Sequence, residues 1–169
     1  PPNTTTCISK MYPAGTKRNL RNLHPIKKNI EELKIGDQWI TKKRMIAAED
    51  IDRFADLSGD HFYAHIKETD FTGTMFEKQV AHGYLIMSIA AGLFVDSYEK
   101  NPVLLNYGID ELRFTKPVYP DTEIHIRFTC KETIKQEKKS DDDIAKGIVK
   151  WLVEINDEKK EIAGLATIL

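Results

Sequence analysis

Cysteine is scarce in this chain. Two are present, Cys7 and Cys130, far apart and in no Cys-x-x-Cys arrangement, which argues against a disulfide framework and a thiolate metal site. Cysteine usage of this kind points to reduced thiols and a cytoplasmic protein. Net charge is almost absent: 25 Lys and Arg against 26 Asp and Glu leave −1. No global field therefore draws the chain toward nucleic acid or an anionic membrane. The apolar run after His82 is only about a dozen residues, short of the roughly 20 that cross a bilayer. No charged-then-apolar leader opens the chain, and neither does a methionine. Pro1-Pro2 before Asn3-Thr4-Thr5-Thr6, and an abrupt apolar end over Ile162–Leu169, suggest a piece of a longer protein. There is no internal repeat, zinc spacing, Walker loop or dinucleotide fingerprint. Gly15, Gly36 and Gly59 are too scattered to cradle phosphates, and no aromatic–basic face suits single-stranded nucleic acid.

What remains is a chain of single-domain size, able to bury roughly 68–70% of its unfolded surface. Residues 1–23 are polar and without sustained period, and read as a linker or arm; Lys17, Arg18 and Arg21 there form a solvated basic cluster. Residues 24–169 read as the folded domain. Glu31–Asp37 suggests a short turn, and Gln38–Ile46 a strand anchored by Trp39. Ile51, Phe54 and Ala55 recur at helical spacing over Ala48–Leu57, with Glu49, Asp50 and Asp52 in the dipole-favoured first turn. Ile66–Lys78 has weak helical character interrupted by Gly73, as in a lid. Val103–Tyr107 and Ile109–Phe114 read as strands about a bulge or bend at Gly108. Pro117–Asp121 makes a turn. Thr122–Lys131, Ile148–Ile155 and Ile162–Leu169 complete an antiparallel set, with a hairpin at Asn156-Asp157 and a charged tip over Lys135–Asp143.

The chemistry concentrates in Leu57-Ser58-Gly59-Asp60-His61-Phe62-Tyr63-Ala64-His65 and in the stretch from Val80 through His82-Gly83 to Val95. The second stretch reads as a central helix from Gly83 to Tyr98, apolar on nearly every side and so surrounded by protein. Its first N–H groups lack partners within the helix, and glycine at its start lets a ligand oxygen approach them. Asp60 and His65 add a carboxylate and an imidazole. Together these parts can move a proton and stabilise a developing oxyanion. Singly, each has a plainer role: Asp60 as a turn residue, His65 as a structurally bonded histidine, Gly83 as a packing glycine.

Ser58-Gly59-Asp60, His65, Phe76 and His82-Gly83 resemble the signature of MaoC-like, (R)-specific enoyl-CoA hydratases. The resemblance implies an α+β hot-dog fold, a long central helix wrapped by an antiparallel sheet. It also implies a hydro-lyase needing no cofactor, with a coenzyme A thioester as its substrate. Asp60 and His65 would then share one water, with Asp60 the base, while the Gly83 N–H receives the thioester oxygen. Phe62, Tyr63, Phe76, His82 and Tyr84 are the expected substrate contacts. The family usually carries Asn-Pro where this chain has Phe62-Tyr63, and Gly-Asp-Thr in place of Asp121-Thr122-Glu123. Ala90–Asp96, Asn106-Tyr107-Gly108 and Arg113-Phe114 with Pro117-Val118 resemble one branch in particular. That branch is the oxepin-CoA hydrolase domain fused to an aldehyde dehydrogenase in phenylacetate degradation. A fused or associated aldehyde dehydrogenase and a homodimer or higher homo-oligomer are therefore expected partners. Two alternatives stand beside the hydratase. One is a hot-dog acyl-CoA thioesterase, which typically needs a carboxylate on the central helix; Tyr84–Val95 holds none. The other is a non-catalytic acyl-binding or assembly domain.

Overall fold

A computed structural model of the chain describes residues 23–95, 101–102, 106–137 and 145–169. The first 22 residues, with Cys7 and the basic cluster, lie outside that set. Among the described residues there are six strands and two α-helices: β1 (Gln38–Ile40), β2 (Arg44–Ile46), α1 (Ala48–Ser58), α2 (Gly83–Phe94), β3 (Ile109–Phe114), β4 (Thr122–Lys135), β5 (Gly147–Asn156) and β6 (Ile162–Ile168). All the pairings are antiparallel, in the order β1-β4-β5-β6-β3, and β2 also pairs with β4.

Alternation on the long strands aims one face at α2. Ile124, Ile126, Phe128 and Cys130 of β4 are buried, as are Trp151, Val153 and Ile155 of β5. They join Leu85, Ile86, Met87, Ala90 and Phe94 of α2 in one core. Burying each such large side chain is worth about 1.5–3 kcal/mol, so this helix–sheet contact is the main source of stability. One helix packed on an antiparallel sheet is the expected α+β hot-dog architecture.

Several elements differ from the sequence expectation. The strand expected over Gln38–Ile46 is two short ones, β1 and β2. Between them the Thr41 hydroxyl accepts the Ile126 N–H at 3.0 Å, taking the place of a backbone carbonyl in the ladder. Residues 66–78 form turns and no helix beyond the 3₁₀ turn Tyr63–His65; Gly73 sits at φ +77°, where a helix cannot continue. The central helix ends at Phe94, and residues 96–98 lie outside the described set. Nor is it enclosed all round, because Tyr84, Ser88, Gly92 and Val95 line one exposed stripe. Asn106 and Tyr107 are not in a strand, and the bulge falls between Asp110 and Arg113, with Glu111 at φ +53°, rather than at Gly108. β4 runs four residues beyond the expected Lys131, to Lys135, and most of the charged tip lies outside the described residues.

Candidate active site

Helix α1 delivers the aspartate. Gly59 caps it in the left-handed region (φ +76°) and donates its N–H to Ala55 O at 2.8 Å. The Ser58 hydroxyl donates to Phe54 O and accepts the Asp60 N–H, while Asp60 Oδ1 accepts the Phe62 N–H at 3.3 Å. One carboxylate oxygen is thus used to hold the loop, and Oδ2 is left to face His65.

His65 ends the 3₁₀ turn that follows. Its Nδ1 lies 2.7 Å from Val80 O. A carbonyl only accepts, so Nδ1 carries a proton, and the neutral form of His65 presents a lone pair at Nε2. That atom stands 4.0 Å from Asp60 Oδ2, too far for a hydrogen bond. Two acceptors therefore face each other across a gap that suits one water. A water about 2.8 Å from both would meet them at roughly 90°, close to its own bond angle.

His82, at the N-cap of α2, is 2% exposed. Its Nε2 donates to Asp60 O at 2.9 Å, and its ring stacks on His65 at 3.7 Å and 24°. Burial outweighs the bond to Asp60 O and lowers its pKa, holding it neutral. Its Nδ1 is buried with no hydrogen-bond partner. His82 is thus a frame for the loop rather than a wall against substrate. Asp60, His65 and His82 do offer ligand atoms all within 4.8 Å of one another. Lone pairs of two near-parallel stacked rings run side by side, so both cannot reach one ion at the ~2.0–2.1 Å of a zinc–nitrogen bond.

Gly83 opens α2, and no side chain caps the helix. The Phe114 ring of β3 lies against it: a Cβ added at Gly83 would stand 2.3 Å from that ring. A side chain at 83 would need the Phe114 ring, itself 44% exposed, to swing aside. Beside it is a cavity of about 290 Å³, lined by Met75, Phe76, Gly83, Ile86, Phe114 and Ala163 among others. Asp60 and His65 do not line it; the pair and the cavity meet along Val80 to Gly83, since Val80 also borders the cavity. Lys116 at its rim is held by Asp157 and Glu161.

Asp60, His65, His82 and Gly83 are thus brought together as expected, and Phe76 does border the cavity. Phe62 and Tyr63 are exposed, with their rings tilted against each other at 4.5 Å and Tyr63 6.5 Å from the Phe76 ring. Tyr84 is 68% exposed and meets Phe114 edge-on at 6.3 Å, outside the cavity lining. Sequence reasoning passed over Gln79, and it named Val80 and Phe114 without their places beside His65 and Gly83. The period-2 pattern of β3 marks Phe114 only as one face of a strand.

Comparison with known proteins identifies the family and the fold. The family model of the MaoC like domain matches residues 31–151. Protein MaoC of Klebsiella aerogenes is 41% identical over 142 residues, 83% of this chain and 42% of that protein. The 3-hydroxyacyl-thioester dehydratase Z of Mycobacterium tuberculosis is 32% identical over 88 residues, 50% of this chain and 56% of that one. The chain thus spans well under two thirds of these relatives. Among solved structures, a protein described as the monoamine oxidase regulatory protein of Archaeoglobus fulgius is similar at 27% identity and TM-score 0.72, covering 85% of this chain and 94% of that one. The (R)-hydratase of A. caviae involved in PHA biosynthesis shares the fold at 20% identity and TM-score 0.64, covering 80% and 94%. With over half its length matched by one family and the helix, sheet and loop in place, this chain belongs to the MaoC-like domain family.

Proposed function

We propose that the chain is a hydratase/dehydratase of thioester-linked acyl groups, adding water across a double bond conjugated to the thioester carbonyl. One observation carries it. Asp60 Oδ2 and the lone pair of His65 Nε2 face each other at 4.0 Å beside the uncapped start of α2. Water in the gap donates one O–H to His65 Nε2 and one to Asp60. Asp60 takes a proton as the water oxygen bonds to the β-carbon, and the π electrons move to the thioester oxygen. The Gly83 N–H stabilises that oxyanion, and one such donor is worth about 3–4 kcal/mol of barrier. The proton then passes from Asp60 to the α-carbon, so atoms and charge balance. Because its proton sits on Nδ1, neutral His65 orients the water instead of supplying the α-proton.

Incubation with crotonyl-CoA tests this. Absorbance of the conjugated thioester should fall without release of free thiol. Rapid thiol release with conjugation intact would move the assignment to thioesterase, and neither change to an acyl-binding domain. For the acyl group we favour a cyclic enol ether such as oxepin-CoA. Water addition there gives a hemiacetal that opens to an aldehyde, which a fused aldehyde dehydrogenase would oxidise. Support comes from the branch resemblance and from the aromatic rings of Phe76 and Phe114 on the cavity. A homodimer completes the proposal. β3 ends the sheet order, and on that side Ile109, Phe114 and Tyr84 are exposed, an association hazard unless paired. Light scattering at micromolar concentration should give twice the chain mass; a monomer argues against it.

A further inference from the structure

Residues 79 and 80 grip residues 64 and 65 at three points, and Gln79 adds a fourth bond to α1. Val80 N–H donates to Ala64 O at 2.7 Å, and Val80 O accepts His65 Nδ1–H at 2.7 Å. The Gln79 side-chain amide donates to His65 O at 2.8 Å and to Asp52 Oδ1 at 2.7 Å. Gln79 is 3% exposed. Both of its partners are acceptors, so the amide nitrogen must face them. Its Oε1 is left buried with no partner, a cost a purely structural side chain would ordinarily avoid.

We infer that Gln79 is a positioning residue for the hydration, tying the backbone of His65 to α1 so that Nε2 holds its place opposite Asp60. Asp52 on α1 is the fixed end of that tie. The same helix delivers Asp60 through Ser58 and Gly59, so both members of the pair are referenced to one rigid element. Without the Gln79 amide, His65 keeps its turn bond from N–H to Phe62 O at 2.8 Å and the neighbouring Val80 bonds, none of which reaches α1. The ring can then move relative to Asp60, and the 4.0 Å gap is no longer set. Displacements near 1 Å at a reacting group cost on the order of 100-fold.

The inference rests on the hydratase reading, and the test separates the two. Crotonyl-CoA hydration is measured for Gln79→Met, Asp52→Leu, Asp52→Asn, His65→Gln and the Gln79→Met/His65→Gln double variant. Methionine fills the space of glutamine, removes both donors and also removes the orphaned Oε1, so the folded state should persist by circular dichroism. We expect kcat to fall about 10- to 100-fold with KM within about twofold. Asp52→Leu should fall in the same direction by less, and Asp52→Asn, which keeps an acceptor, should recover most of that loss. Added to His65→Gln, Gln79→Met should cost nothing more, because its effect runs through His65. Gln79→Met folded with kcat within about threefold of the parent, or a full additional loss on the His65→Gln background, overturns the inference. A fall in melting temperature with kcat intact in the folded protein overturns it too. Should Gln79→Met not fold, Asp52→Leu at its exposed position decides: unchanged kcat overturns the inference, and reduced kcat with Asn rescue supports it. Retained activity in His65→Gln would instead remove the hydratase reading itself.

Discussion

Asp60→Asn isolates the base from the loop that carries it. Asparagine keeps an oxygen for the Phe62 N–H, and the main-chain carbonyl that receives His82 Nε2 is untouched. The side chain is about half exposed, so the stability change should stay within ~0.5 kcal/mol. At Oδ2 an amide now faces His65 Nε2 and can neither take a proton from water nor return one to carbon. General acid–base catalysis by one placed group is worth ~100- to 10,000-fold, or about 2.7–5.4 kcal/mol of barrier. The assay is loss of enoyl absorbance from crotonyl-CoA at saturating substrate, with thermal melting of the same sample as the folding control. kcat should fall by at least ~100-fold and the melting temperature hardly move. A folded Asp60→Asn protein with more than about a tenth of parental kcat would refute the assignment.

Three further outcomes are expected. Because Asp60 and His65 act on one water, His65→Gln should lose activity comparably, and the double variant should be little slower than the worse single one; multiplicative losses would separate the two roles. Gly83→Ala drives a Cβ into the Phe114 ring, so it should destabilise by about 1–3 kcal/mol as an overpacked site; adding Phe114→Ala should recover much of the melting temperature, and no recovery would mean the strain lies elsewhere. His82 has its pKa lowered from 6.5, burial being the largest cause. The unfolded chain then binds a proton between the folded value and pH 6.5 that the folded chain does not, so stability falls on acidification through that window. Melting curves from pH 7 to 5 should show it, and His82→Gln should flatten that part of the slope.

The core and the pair were legible from local pattern. Ile124, Ile126 and Phe128 alternate as a half-buried strand must, and Ile51 and Ala55 recur as a helix face must. Each needs only its own neighbours in sequence to be seen. Asp60 and His65 were visible because they are close along the chain, with Gly59 marking where α1 stops. The faults arose where a contact from afar changed a local preference. Gln38–Ile46 reads as one strand until the Thr41 hydroxyl takes a ladder bond from Ile126. Residues 66–78 hold some helix-compatible residues, yet the bonds of Gln79 and Val80 to residues 64 and 65 bring the end of the segment back to its start and close it as a loop.

The order of residues alone determined the buried strand faces, the end of α1 at Ser58-Gly59 and the closeness of Asp60 to His65 along the chain, because these depend on periodicity and backbone propensity; the fold class came from the resemblance to the MaoC-like family. Tertiary structure decided the rest. Val80 O sets the tautomer of His65, and so which partner can carry the proton. The ring of Phe114, 31 positions beyond Gly83 in the numbering, fills the space a side chain there would need. The exposed stripe of α2 follows from which side the sheet covers. Hydrogen-bond direction and close approach are properties of atoms in space, and no spacing along the chain contains them.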